Sequence, residues 1–138
     1  MTDLSHPYIV SACLMGLCTR YDGKLKKNTA CCSRLKNSLW IPVCPEQLGG
    51  LPTPREAADI RGGNGHDVLD GSARVLSKSG ADFSAQFLSG AHQVLAIAQA
   101  QNIQSIILKS GSPSCAVNGT IGVTAALLQQ HGFHLEEY

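Results

Sequence analysis

Three short apolar runs set the strongest limit on what this chain can fold into: Tyr8 to Cys13, Leu39 to Val43 and Ser105 to Lys109. Each has the length and β-branched character of a strand, and the intervals between them are long enough to hold helices. Ile106-Ile107-Leu108 is continuously apolar, which suits an interior parallel strand covered on both faces. Between Asn28 and Ser38 a short helix is expected, capped by Asn28 or Thr29, with Cys31, Leu35 and Leu39 on one buried face. From Asp82 as cap, Phe83, Phe87, Ala91, Val94, Leu95 and Ala98 recur at helical spacing up to about Gln101. A last helix is expected from about Thr120 to Gln130, ended by Gly132, with Phe133 to Tyr138 as a closing strand. Strands that alternate with helices imply a parallel sheet with right-handed crossovers. The fold class read from the sequence is therefore α/β, a small Rossmann-like three-layer sandwich with a mostly parallel central sheet.

The remaining segments read less regularly. Pro42 and Pro45 limit the hydrogen bonding of the second strand and stop it. The stretch from Glu46 to Pro54, with Gly49-Gly50 and Pro52-Thr53-Pro54, is expected to be a loop whose glycines let the backbone approach a ligand closely. After the flexible Gly62-Gly63-Asn64-Gly65, Asp67-Val68-Leu69 and Ala73-Arg74-Val75-Leu76 are expected to form a β-hairpin through Asp70-Gly71.

Composition narrows the function classes. A chain of 138 residues fits one domain, taken as residues 1–138. Hydrophobic residues make up 43% and charged residues 15%, enough for a buried core and unlike a disordered chain. The net charge is +1, and the basic residues are scattered apart from Lys24, Lys26 and Lys27, so no basic stripe suits a nucleic-acid backbone. There is no basic segment followed by a long apolar one at the N-terminus, and nowhere do ~18 apolar residues run together. Neither export nor membrane spanning is expected, and the cytoplasm is the expected compartment.

Six cysteines exceed ordinary usage but fall short of the ~8–10% that marks a disulfide scaffold. In a reducing compartment they stay thiols. Their positions carry more than their number. Cys13 ends the first predicted strand, Cys44 follows the second, and Cys115 lies in the loop after the third. Ligands of open parallel sheets bind outside the carboxyl ends of the strands, so these three thiols are expected to converge on one crevice. Three converging thiolates suit zinc, copper(I) or an iron–sulfur cluster, and each could equally be a small buried hydrophobe. Cys18 lies in the same mouth as Cys13, where it supports the site or simply packs. Cys31 and Cys32, adjacent on a helix, point in different directions. None of the five histidines stands at the spacing of a zinc motif.

Around these positions the chain resembles the thiouracil desulfidase family, in its short single-domain form. The resemblance rests on Val10-Ser11-Ala12-Cys13-Leu14 with Cys18-Thr19-Arg20-Tyr21-Asp22-Gly23, and on the long run from Pro42-Val43-Cys44-Pro45-Glu46-Gln47 to Pro52-Thr53-Pro54-Arg55. Leu108-Lys109 with Ser112-Pro113-Ser114-Cys115, and Gly122 to Leu128, complete it. What the resemblance implies is a [4Fe-4S] cluster held by Cys13, Cys44 and Cys115, with one iron free of protein ligands. It implies non-redox removal of sulfur from a small thiolated pyrimidine, hydrolase-like or lyase-like, releasing sulfide and the oxo base. Glu46 takes the acid–base role in that reading, and Ser112 the substrate-contacting or proton-relaying one, although a serine before Pro113 is also a common turn residue. Arg20, Asp22, Gly49 and Gly50 are further candidates for contacting substrate, with Asp22-Gly23 equally explained as a turn.

Two other readings of the thiols stay open at the level of sequence. One is a cofactor-free enzyme in which an activated cysteine takes sulfur as a persulfide. The other is a non-catalytic module with zinc on the three thiolates and Glu46. One departure from the family stands out: only Ala116-Val117-Asn118-Gly119-Thr120-Ile121 separates Cys115 from the next helix, where relatives commonly carry a longer glycine-rich segment. That shortening bears on the lid over the substrate rather than on the thiols.

Overall fold

Ile9 and Val10 lie at the centre of the chain's main sheet, both with no solvent exposure. Residues 3–138 are described by a computed structural model. Ile9 and Val10 belong to β1 (Asp3–Ser11), which is flanked by β2 (Ser38–Val43) and β5 (Ser105–Leu108). Both pairings are parallel, with Ile9 opposite Ile41 on one side and Ile106 on the other. β6 (His134–Glu137) adds in parallel to β5, giving the order β2-β1-β5-β6. Parallel strands need crossovers, and here they run through α1 (Thr29–Arg34), α4 (Ser84–Ala100) and α5 (Val123–Gln130).

Side-chain alternation along the strands sorts those helices onto two faces. Ile9, Ile106 and Leu108 face a large core with Phe87, Ala91 and Val94 of α4 and Val123 and Ala126 of α5. Val10 and Ile107 face a smaller one with Leu14, Cys31 and Leu35. The result is the expected three-layer arrangement. β1 leads outward to β2 on one side, while the chain returns to β5 on the other. The strand order therefore reverses beside β1, and its carboxyl end opens a crevice.

Several local elements differ from the sequence reading, each for an identifiable reason. The hairpin expected across Asp70-Gly71 does not form; Gly65–Asp70 is instead a helix, α3. The Asn64 side chain accepts from the His66 and Asp67 N–H groups, and the Asp67 carboxylate accepts from the Asn64 N–H, a capping box that starts a helix. Gly71, at φ 87°, ends it in the left-handed region. β4 (Arg74–Ser77) pairs antiparallel with β3 (Ala58–Arg61), for which the sequence held no clear signal. The expected loop after Cys44 begins with one helical turn, α2 (Pro45–Leu48), with Pro45 in its favoured first position.

Helix ends shift in the same way. α1 starts at its Asn28 cap as expected, but it ends at Arg34, and Leu39 belongs to edge strand β2 with 44% exposure rather than to the helix's buried face. α4 begins at Ser84 with Phe83 at its cap position, one residue after the expected Asp82, whose carboxylate still accepts from the Ser84 N–H. α5 begins at Val123, because the N–H groups of Gly122 and Val123 bond back to Ala116 and Pro113 and close the preceding loop. β1 stops at Ser11, so Cys13 lies just beyond it in a 3-10 turn (Ala12–Met15). No helix among the described residues is long and apolar enough to cross a membrane.

α2 is held on α4 through backbone contact at two glycines. A Cβ on Gly90 would lie 1.8 Å from the Pro45 carbonyl oxygen, and one on Gly49 would lie 2.0 Å from that of Gln86. Gly90→Ala should therefore destabilise the protein by about 1–3 kcal/mol through overpacking, although alanine gains about 1 kcal/mol in helix propensity. Urea unfolding of the variant checks this; an unchanged midpoint would contradict the close approach.

Candidate active site

Three segments bring their cysteines to the crevice beside β1. Cys13 sits in the 3-10 turn after β1, Cys44 is the residue before α2 at the end of β2, and Cys115 lies in the loop after β5. All three line one cavity of about 280 Å³. Ser11 helps to join the strand ends, since its hydroxyl accepts from the Lys109 N–H at 3.0 Å. The expected convergence of thiols is thus present in the fold.

None of the three has the environment of an activated nucleophile. Burial pushes the Cys13 and Cys44 thiols up, and their proximity to each other raises Cys13 further. Cys115 is pushed up to about 12, again by burial first, against the lowering effect of hydrogen bonds from Ser11 and Ser114. A thiol enzyme depends on a depressed pKa, so this geometry does not favour a persulfide-forming cysteine. A metal centre would supply the positive charge that deprotonates such thiols.

Glu46, in the first turn of α2, is gripped from both sides. Its Oε1 accepts from Arg55 Nε at 2.9 Å, and its Oε2 accepts from Ser114 Oγ at 2.8 Å. Ser114 in turn lies 3.0 Å from Ser112 Oγ. Ser112 Oγ also accepts from the Ser114 and Cys115 N–H groups, at 3.2 and 3.1 Å, so the turn role and the site role of this serine coexist. With its acceptors filled, the Ser112 hydroxyl proton is free to donate to Ser114 or to a bound molecule. A chain of groups able to carry protons thus joins Glu46 to Ser112, with all three residues in the cavity wall.

Arg20 also lines the cavity, and Asp22 holds it through two bonds of 3.1 and 3.0 Å, which keep the Asp22 carboxyl down at about 2. Asp22 itself is outside the cavity wall. So are Gly49 and Gly50: the first packs on α4, and the second turns the chain at φ 97° after α2. Cys18 is exposed and bonds the Gly23 carbonyl. Cys31 is buried in the smaller core, and Cys32 lies against Leu14 and Met15.

The short segment after Cys115 is anchored from β6. Glu137 accepts from the Val117 and Asn118 N–H groups, at 2.7 and 3.0 Å. This segment borders a shallower trough of about 460 Å³ that shares Asp59 and Gly111 to Pro113 with the main cavity.

Sequence reasoning missed three members of the site: Arg55, Ser114 and Lys109. Arg55 closes the Pro52-Thr53-Pro54-Arg55 run, and asking which cation balances Glu46 would have pointed to it. Arg20, Arg55 and Lys109 give the cavity three cations against the carboxylates of Glu46 and Asp59.

Comparison with known proteins finds relatives that match over nearly the whole chain. The uncharacterized protein YbbK of Bacillus subtilis (strain 168) is 40% identical over 139 aligned positions, covering 92% of each chain. A solved structure of the [4Fe-4S]-dependent thiouracil desulfidase TudS (DUF523Vcz) matches with a TM-score of 0.77 at 35% identity, over 96% of this chain and 91% of that one. The profile of the 2-thiouracil desulfurase family spans residues 8–137, taking in all three cavity cysteines, Glu46 and the Ser112 to Cys115 turn, and the chain belongs to that family.

Proposed function

We propose that this protein removes sulfur from a small thiolated pyrimidine such as thiouracil, without net redox change, at a [4Fe-4S] cluster held by Cys13, Cys44 and Cys115. The observation that carries this reading is the meeting of three thiols from three strand ends with a gripped carboxylate and a serine pair in one cavity. Membership of the desulfurase family and the likeness to a [4Fe-4S]-dependent desulfidase support it.

The residues present fit such a group. Among the described residues no three His, Cys, Asp or Glu side chains come close enough to hold one metal ion. Glu46 already bonds Arg55 and Ser114, one through each oxygen, so the three thiols are the soft donors the cavity offers. Soft donors spread around a cavity suit a multi-iron cluster, whose irons are each bound by a separate cysteine. Arg20, Arg55 and Lys109 offset the negative charge of three thiolates. When bound, the cluster supplies an iron without a protein ligand, a soft Lewis acid for a thiocarbonyl sulfur.

The chain's own residues manage water and protons. Exchange of C=S for C=O consumes one water and releases one sulfide, so two protons must leave the water oxygen and reach sulfur or solvent. In this reading the Glu46 carboxylate accepts a proton from water and delivers one to the departing sulfur. Ser112 can contact the substrate ring, with Ser114 linking it to Glu46. Arg20, fixed by Asp22, shapes the wall that receives the base. The reaction fits the cytoplasm, where thiols stay reduced.

Protein purified without oxygen is expected to be brown, with about four irons and four acid-labile sulfides per chain. Colourless, zinc-loaded protein would contradict the assignment, as would metal-free protein that still releases sulfide from 2-thiouracil or 4-thiouracil. Substituting Ala for Cys13, Cys44 or Cys115 in turn should remove most of the bound iron, and three variants with full iron would defeat the ligand set. Glu46→Gln keeps the side-chain shape, so iron should stay while turnover falls by ~10²–10⁴-fold, the usual contribution of a positioned acid or base. Unchanged turnover in that variant would remove Glu46 from the chemistry, and loss of iron would make it a ligand instead.

A further inference from the structure

Arg55 makes more directed contacts in this site than any residue assigned a role above. Its guanidinium is buried, with 5% of the side chain exposed, and all five of its N–H donors have partners. Nε donates to Glu46 Oε1 at 2.9 Å. Nη1 donates to the Pro52 carbonyl at 3.1 Å and to Thr53 Oγ1 at 2.9 Å. Nη2 donates to the Thr19 carbonyl at 2.8 Å and to Cys44 Sγ at 3.8 Å. These acceptors come from three separate stretches: the loop after β1, the end of β2 with α2, and the glycine–proline run that follows. The backbone N–H of Arg55 adds a tie to the Tyr21 carbonyl at 2.7 Å.

We propose that Arg55 is a positioning residue that ties the carboxylate of Glu46 to the sulfur of Cys44 through one rigid plane, fixing the first and tuning the second. The proposal rests on the cluster reading given above. A guanidinium is flat, so the direction of its Nε donor and that of its Nη2 donor cannot vary independently. Glu46 is thereby held at a set angle to the ligand sulfur, an orientation that Ser114 alone, through one rotatable hydroxyl, does not impose. The N–H donated to Cys44 draws electron density from the sulfur. Hydrogen bonds to ligand sulfurs are among the factors that set the potential of an iron–sulfur cluster. A reduced cluster carries one more negative charge, so the donor favours it and raises the potential. Lysine cannot substitute, because three donors on a single nitrogen cannot reach five acceptors spread around a plane.

The test compares anaerobically purified wild type with Arg55→Lys and Arg55→Gln, each also combined with Glu46→Gln. Iron per chain, the cluster potential from a redox titration, and kcat and KM for sulfide release from 4-thiouracil are measured on the same preparations. Iron content is expected to hold. The potential should move to more negative values in both variants, further in Arg55→Gln, which loses the charge as well. In Arg55→Lys kcat should fall by ~10²-fold, the effect of a small misplacement of a reacting group, with KM changed far less. In the Glu46→Gln background the same substitution should lower kcat little further, because the residue it positions is already disabled, yet it should still shift the potential.

An unchanged potential overturns the tie to Cys44, and an equal loss of kcat with and without Glu46 overturns the tie to the carboxylate. If both variants lose their iron, a crystal structure of the wild-type holoprotein decides. A guanidinium within hydrogen-bonding reach of both the Cys44 sulfur and the Glu46 carboxylate upholds the proposal, and one turned away from either ends it. Wild-type protein without iron and without turnover would sink the proposed function and this inference together, whereas active wild type with unaltered Arg55 variants sinks only the inference.

Discussion

The parallel pairing of β1 with β2 on one side and β5 on the other sets the carboxyl ends of three strands side by side, although the residues involved are far apart in sequence. Parallel neighbours cannot be joined by tight turns, so the chain must leave the sheet between them and return. Each return passes over one face as α1 or α4, and each departure leaves a loop at the same edge. The cysteines occupy those departures. Buried, continuously apolar stretches such as Ile106-Ile107-Leu108 of β5 fix the register without any contribution from the site itself. The scaffold is accordingly able to carry groups that destabilise it, including the buried thiol of Cys115, the partly buried thiols of Cys13 and Cys44, and a buried ion pair.

That ion pair makes sense only in company. Glu46 and Arg55 are 13% and 5% exposed at their side chains, and removing two charges from water is expensive unless their remaining hydrogen-bonding capacity is met. Here it is met: Arg55 has five acceptors, and the second oxygen of Glu46 has Ser114. Such a fully satisfied polar group gains little stability over an apolar one of the same shape, but it admits only one geometry. That single geometry fixes where the Glu46 carboxylate stands in the cavity wall.

What could be read directly from the sequence was whatever burial on a sheet dictates locally. The three strands, the α4 stripe from Phe87 to Ala98 and the meeting of Cys13, Cys44 and Cys115 all follow from apolar spacing. Asp70-Gly71 was misread because a glycine after an aspartate serves a hairpin turn and a left-handed helix cap equally well. The choice between them was made upstream by the Asn64 and Asp67 capping box. α2 was hidden for a different reason. A single turn of helix has little intrinsic stability, and this one is secured by the backbone contacts of Gly49 and Gly90, which no local pattern records. Arg55 escaped notice because a sequence lists charges without their partners, and its partner lies nine residues away across a proline-rich turn.

The order of the chain gives the strand-end arrangement a consequence during synthesis. Cys13 and Cys44 leave the ribosome early, whereas Cys115 follows only after most of the chain, and β5 must insert beside β1 before the third thiol reaches the other two. Contacts of such long sequence separation form late, after the loop between them has closed. For the translation time of some seventy residues, several seconds at ordinary elongation rates of ~5–20 residues per second, the nascent chain displays two thiols and no finished pocket. The three-thiol crevice is therefore completed only after β5 has joined the sheet, so any group that needs all three thiols at once meets a chain whose sheet has already closed.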